Sequence, residues 1–319
     1  MAAAERSDRS PEVVAPDVAA LETVVRPRLA VDLRLTLGPP AAGSSVPTGR
    51  RDPDGSWWRA TRTPDGPATV RFAPAGPGEI RVQAWGPGAA WAVEAAPDLI
   101  GARDSLDGFD PPPGLVRELH HRMPGLRIAR SRAVFEALVP TVLAQKVTGA
   151  EASRGYRGLV RLLGEPAPGP GCLVMPPSPE AVAGLPYHRF HPLGVEMRRA
   201  NVLRFAARGA ARLEEATVLP LLEARRRLTA FPGVGPWTAA EVALIALGDA
   251  DAVSFGDYHI PNTVAWALAG EPRGTDERLL ELLAPFAGHR GRVIRLLEAA
   301  GIGAPRFGPR LAVRSIAKL

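Results

Sequence analysis

Between Leu228 and Val264 the chain reads LTAFPGVGPWTAAEVALIALGDADAVSFGDYHIPNTV, and this stretch constrains the fold more than any other. Ahead of the prolines, Leu221, Leu222, Ala224 and Leu228 fall at helical spacing. Pro232 and Gly233 stop that helix, because proline has no N–H to donate and glycine adopts positive φ cheaply. Gly235 and Pro236 complete a tight turn, and proline suits the first turn of the helix that follows. From Trp237 to Leu247 the residues are apolar nearly all round, which predicts a buried helix. Two glycines without side chains stand in front of its N-terminus. Free backbone N–H groups and the positive end of the helix dipole are then exposed together, which makes an anion site.

FPGVGPWTA resembles the hairpin of the helix-hairpin-helix DNA glycosylases. GDYHI, whose aspartate lies twenty positions past Trp237, resembles the segment that carries their catalytic acid. Within that superfamily the sequence is most similar to the DNA-3-methyladenine glycosylase II branch. Hairpin, tryptophan and spaced aspartate together form a specific pattern, where a lone GxG is weak. The bland alternative is an ordinary helix–helix turn over 231–238, with Asp257 serving only to cap the helix that begins near Pro261.

With 319 residues there is room for two domains, and 46% hydrophobic content can supply a core. No apolar run approaches the roughly 18 residues a membrane span needs. The opening MAAAERSDRS is polar and lacks an apolar signal core, so a cytoplasmic, nucleoid-associated protein is expected. Cys172 is the single cysteine, which excludes an intrachain disulfide and the four-cysteine iron–sulfur cluster of some relatives. A formal net charge of +6 suits a polyanionic partner, and double-stranded DNA is the one the resemblance implies. Lysine is confined to Lys146 and Lys318, so the positive charge is otherwise arginine.

Taken in order, residues 1–20 read as a charged, disordered tail. Residues 21–112 read as an α+β N-terminal domain. Strand signals fall at 29–37, 57–61, 68–72 and 80–85, with Asp65-Gly66 and Pro77-Gly78 in turns and a Gly/Pro/Ser-rich loop at 38–49. In the resembled branch this place holds a small antiparallel, TATA-binding-protein-like sheet. Trp57 and Trp58 are assigned to core or pocket-edge packing in preference to base stacking. Pro111-Pro112-Pro113 marks the join to an all-α helix-hairpin-helix domain over 113–304, followed by a basic tail at 305–319. Ser131 is expected to cap a helix whose stripe is Phe135, Leu138, Val139, Val142 and Leu143. A later helix is expected to bury Val202, Phe205, Ala206 and Ala210, with Arg198 and Arg199 on the solvated surface. The six histidines fall into no metal-ligand pattern.

The resemblance assigns roles residue by residue. Phe231, Gly233, Val234, Gly235 and Thr238 correspond to the hairpin that holds the DNA backbone, whose carbonyls hold a Na+ or K+ ion in family members. Gln145 and Lys146 fall on the turn whose side chain plugs the gap left by the extruded base. Relatives place leucine or glutamine there, and a phosphate contact is the other role open to Lys146. Asp257 is the expected catalytic acid. Its place just before a helix favours the charged form that an oxocarbenium-like transition state requires. Asp249 and Asp251 are its rivals nearby. Trp237, Tyr258 and Glu241 are expected at the base pocket. Glu241 stands where relatives carry a tyrosine, and no tryptophan occurs near Glu298, where one is expected. Either Glu241 contacts the base, or the N-terminal tryptophans replace the lost rings. A surface glutamate is the plain reading.

Relatives that also cut the strand carry a lysine where this chain has Trp237. The expectation is therefore a monofunctional, monomeric glycosylase that hydrolyses alkylated purines of the 3-methyladenine and 7-methylguanine class during base excision repair. A non-catalytic helix-hairpin-helix protein that binds DNA or damage is one alternative. A glycosylase for another lesion, such as hypoxanthine, is a second.

Overall fold

The computed structural model describes residues 19–38 and 46–305. Most of the expected N-terminal tail, the basic C-terminal tail after residue 305 and most of the 38–49 loop lie outside those residues.

The N-terminal part is a five-stranded antiparallel sheet in the order β1-β5-β4-β3-β2. Its strands are β1 (Leu21–Val25), β2 (Gly49–Arg51), β3 (Trp57–Thr63), β4 (Gly66–Gly76) and β5 (Glu79–Trp85). The three central strands are those signalled by alternating residues. Residues 29–37 are not a strand. Asp32 caps a short helix, α1 (Leu33–Leu37), by accepting the Leu35 N–H at 3.0 Å. The leucines of α1 serve two cores, Leu33 and Leu37 packing under the sheet and Leu35 against the C-terminal helices. That division explains why an alternating pattern is helical here.

Helix α2 (Ala89–Leu99) lies on one face of the sheet, where Ala89, Ala92, Ala95 and Ala96 let it approach Val70, Phe72 and Val82 closely. On the other face Trp58 stacks on Trp85, with centroids 5.4 Å apart and planes 17° from parallel. The Trp58 Nε1 donates to Asp52 at 2.7 Å, and Leu173 and Met175 cover the pair. Trp58 is thus a core residue whose polar edge is satisfied, as buried tryptophan requires.

The rest is helical: α3 (Leu115–Arg122), α4 (Val134–Leu143), α5 (Gly149–Leu163), α6 (Pro179–Gly184), α7 (Tyr187–Phe190), α8 (Met197–Arg208), α9 (Ala210–Glu214), α10 (Leu221–Thr229), α11 (Pro236–Val242), α12 (Ile260–Ala269), α13 (Asp276–Leu283) and α14 (Arg290–Ala299). These helices build two cores. One gathers the buried faces of α4, α8, α10 and α11. The other joins α3 to α12, α13 and α14. Helix α3 precedes the first core in sequence but packs with the last helices.

Three local expectations change. Ser131 does not cap α4. The half-buried Glu214 carboxylate does, accepting the Val134 and Phe135 N–H groups at 2.9 and 2.8 Å. An acid supplied from 80 residues away cannot be seen as a local cap. Phe205 is exposed instead of buried, its ring edge-on to Phe231. Arg199 is buried, not solvated, and donates to the Leu143 carbonyl at 2.7 Å, satisfying the C-terminus of α4.

Candidate active site

The hairpin turns between α10 and α11. Phe231 and Val234 are buried and anchor the turn from inside. The two glycines do different work. Gly233 has φ +84°, and a Cβ there would lie 2.2 Å from Val202 Cγ2 on α8, so the fold itself demands glycine. Gly235 is in extended backbone, with nothing within 4 Å of an added Cβ. Its openness lets another molecule reach the first N–H groups of α11. The helix continues beyond Val242 as a π-turn over Ala243–Leu247, whose Ile245 and Ala246 carbonyls accept the Ser131 and Arg132 N–H groups. Ile245 is exposed, against the expectation of a helix buried all round.

Asp257 sits where the two helical cores meet. Its Oδ2 accepts the Trp237 Nε1–H at 2.9 Å, from the first core's helix. Its Oδ1 accepts the backbone N–H of His259 at 2.7 Å and of Ile260 at 2.8 Å, at the start of α12. Asp257 therefore caps a helix and faces the tryptophan as well. All three partners are neutral N–H donors, the complement an ionised carboxylate accepts. Its rivals are engaged differently. Asp249 is buried against Arg225, whose Nε donates at 2.6 Å. Asp251 receives the Nε of Arg290 at 2.8 Å and its backbone N–H at 3.0 Å. Asp249 and Asp251 are bound to arginines, whereas Asp257 accepts from an indole and two backbone N–H groups, with Arg273 and Arg278 lining the same cleft.

Asp257 lines an open cleft of about 580 Å³ together with Tyr258, Asn262, Arg273 and Thr275. Tyr258 is 76% exposed. Trp237 and Glu241 are not among the cleft's lining residues. Glu241 lies one helical turn beyond Trp237 and accepts the Ser254 hydroxyl. Burial pushes its carboxyl above the usual range, and the charges of Glu298 and Asp257 push it further, against the Ser254 bond and Arg295. Arg295 is itself bonded to Glu298 at 2.8 Å. Glu241 is thus an interior acid beside the Asp257–Trp237 pair, not a surface glutamate.

The turn after α4 completes the site. Gln145 Nε2 donates to the Gly233 carbonyl at 3.0 Å and to Thr238 Oγ1 at 2.9 Å. Lys146 follows in left-handed backbone, φ +56°, with its side chain exposed. The resemblance leads one to expect these residues near DNA, but the sequence contains no sign that Gln145 bonds the hairpin, a contact spanning 88 residues. Among the described residues, no group of three or more His, Cys, Asp or Glu side chains converges as a metal site. No described helix is long and apolar enough to cross a membrane.

No protein-family model matches the chain. Among solved structures, a 3-methyladenine DNA glycosylase from Archaeoglobus fulgidus superposes with a TM-score of 0.72 at 22% identity, covering 86% of this chain and 97% of that one. An 8-oxoguanine glycosylase/lyase from Clostridium acetobutylicum, in complex with double-stranded DNA containing cytosine opposite 8-oxoguanine, gives 0.66 at 15% identity over 90% and 98%. Among curated proteins, the probable bifunctional transcriptional activator/DNA repair enzyme AlkA of Mycobacterium tuberculosis is 36% identical over 157 residues. The chain shares the fold of these solved DNA glycosylases. That AlkA match covers 47% of this chain and 30% of the relative. DNA-3-methyladenine glycosylase 2 of Escherichia coli is 29% identical over 149 residues, 46% of this chain and 53% of the relative. The chain thus spans about half or less of the curated relatives it matches. The α+β sheet followed by a helical region is the architecture expected of the superfamily's 3-methyladenine branch.

Proposed function

We propose that the protein is a monofunctional DNA glycosylase that hydrolyses the N-glycosidic bond of alkylated purines, of the 3-methyladenine and 7-methylguanine class, in duplex DNA. The observation that carries this reading is Asp257, held by the Trp237 indole and the first turn of α12 and open to a cleft.

A base inside a duplex is out of reach, so the nucleotide is extruded. The first turn of α11 and the open backbone around Gly235 grip a phosphate, a contact independent of sequence and weakened by salt. Phe231, Val234 and Thr238 support this grip from the core, where all three are buried. When Na+ or K+ is bound at the hairpin, it supplies positive charge between protein and phosphate. The main-chain carbonyls of 229–234 would hold it, neutral oxygens that suit such an ion. Gly233 and Phe231 carbonyls already accept one hydrogen bond each and retain a second lone pair. Lys146 fills the gap in the stack.

Cleavage breaks the bond between C1′ and the base nitrogen, with the electron pair leaving on the base. Alkylated purines are cationic, so they depart without strong acid assistance. Asp257 stabilises the positive charge that develops on the sugar, then accepts a proton from the water that attacks C1′. Trp237 occupies the position at which strand-cutting relatives carry lysine, so no Schiff base forms there. Trp58 is locked on Trp85 within the sheet's core and does not supply an aromatic wall. Tyr258 lines the cleft beside Asp257, while Trp237 reaches the acid from α11, outside the cleft's lining. With DNA as substrate, the enzyme would work at the nucleoid.

The test is base release from DNA treated with a methylating agent. Free 3-methyladenine and 7-methylguanine are expected, with strands cut only after alkali. Tight binding without release would establish a damage-binding protein instead. Strand cleavage with borohydride trapping would overturn the monofunctional assignment and implicate Lys146.

A further inference from the structure

The turn that presents Lys146 is held at every point except its apex. Before it, the C-terminal carbonyl of α4 at Leu143 is taken by the buried Arg199 of α8. After it, Thr148 and Glu151 form a reciprocal cap at the start of α5. At its centre, both N–H groups of the Gln145 amide are spent on the hairpin, one on the Gly233 carbonyl and one on Thr238 Oγ1. Gly233 in turn presses on Val202 of the same α8 that carries Arg199. Turn, hairpin and α8 therefore close a triangle of contacts. Lys146 alone projects from it, in a left-handed conformation that a non-glycine residue keeps only where its surroundings impose it.

We propose that Gln145 is a positioning residue that clasps the Lys146 turn to the hairpin, so that filling the gap in the duplex and gripping its phosphate are performed by one rigid unit. The proposal rests on the reading of the hairpin as the phosphate grip and of Lys146 as the gap-filling side chain. It assigns Gln145 away from insertion itself, because an amide that bonds Gly233 and Thr238 cannot also enter the stack. The expected consequence is pre-organisation: with the clasp intact, the cost of ordering the turn is met on folding and not on DNA binding. Without it, Lys146 must be ordered in the complex.

The experiment uses the full chain and a duplex carrying a tetrahydrofuran abasic analogue beside 2-aminopurine, whose fluorescence rises when its stacking is broken. Wild type should raise the signal several-fold at saturation. Gln145→Ala and Gln145→Glu should both lose most of that rise while keeping a cooperative melt, since alanine removes both contacts and glutamate cannot donate to the Gly233 carbonyl. Lys146→Ala should lose it as well, and adding Gln145→Ala to Lys146→Ala should cost nothing more, as expected of two residues acting through one step. A wild-type signal in either Gln145 variant overturns the clasp, as does additive loss in the double variant or no rise with wild type. A second assay uses a single guanine methylated at N7 and placed opposite cytosine or opposite an abasic analogue. Gln145→Ala should slow single-turnover release about tenfold from the paired duplex and about twofold or less from the unpaired one. Equal slowing on both would also contradict the clasp. Insertion by wild type with no release from either duplex would sink the glycosylase reading and leave the clasp standing.

Discussion

Trp237 Nε1 donates to Asp257 Oδ2 at 2.9 Å, a bond that ties α11 to the segment leading into α12. Its consequence is that the acid's orientation is set by both bodies at once, the hairpin helix through Trp237 and α12 through the His259 and Ile260 amides. Trp237→Phe keeps an aromatic side chain but removes the indole N–H together with its second ring. Loss of a hydrogen bond to a charged group is worth about 1.5–3 kcal/mol, so kcat is expected to fall about tenfold or more with little change in DNA affinity. Single-turnover release alongside a binding titration checks this. An unchanged rate would show that the indole N–H does not orient the acid.

The two hairpin glycines should separate stability from binding. Gly233→Ala meets positive φ and the Val202 side chain, so it should lose at least about 1–2 kcal/mol from the backbone alone. Gly235→Ala meets neither obstacle and should melt as wild type does. It should nevertheless weaken duplex binding, because the methyl stands where the phosphate approaches. Thermal melting and fluorescence anisotropy measure the two. Undiminished binding by Gly235→Ala would remove the hairpin from the DNA interface.

Much of this site was legible in the sequence because local chemistry dictates it. Pro232, Gly233 and Pro236 punctuate the hairpin whatever surrounds them, and the spacing from Trp237 to Asp257 follows from a helix plus a loop. The alternating strands at 57–61, 68–72 and 80–85 are legible for the same reason. What escaped the sequence depends on distant partners. Leu29 to Leu37 alternates like a strand, yet Leu33 and Leu35 of α1 answer to different cores. Arg199 looks like surface until the Leu143 carbonyl reaches it. Gln145 looks like a DNA contact until the hairpin, 88 residues on, takes its amide. Glu241 looks like the solvated position of an otherwise apolar helix until Ser254 bonds its carboxylate.

Glu241 gives a pH-dependent prediction about stability. Its folded pKa is raised, by burial first and then by Glu298 and Asp257. The folded protein therefore binds more protons than the unfolded chain above the ordinary glutamate value of 4.5. Stability falls as pH rises from there through the folded pKa, and the cost is fully present above it. Glu241→Gln removes that cost while keeping a partner for Ser254. The variant should be at least as stable as wild type at pH 8, with its advantage shrinking as pH falls toward 4.5. Urea melts across that range check this. An advantage that grew on acidification would contradict the assignment.

The phosphate grip predicts salt sensitivity of binding but not of chemistry. The affinity for undamaged duplex should fall linearly on logarithmic axes as salt rises, with a slope near −0.9 per phosphate neutralised. The single-turnover rate at saturating enzyme should be flat over the same range, since the Asp257 contacts are internal. Binding insensitive to salt would contradict a phosphate-led interface.

The most direct test of the central claim is single-turnover base release from a duplex carrying one N7-methylated guanine, compared between wild type and Asp257→Asn. Asparagine keeps the shape and one acceptor oxygen for the α12 amides, but turns an NH2 toward the Trp237 N–H and removes the negative charge. The account predicts a folded protein that still binds duplex, with release slowed by at least about 10²–10³-fold. Equal release by the two proteins would contradict it, and would move the chemistry away from Asp257.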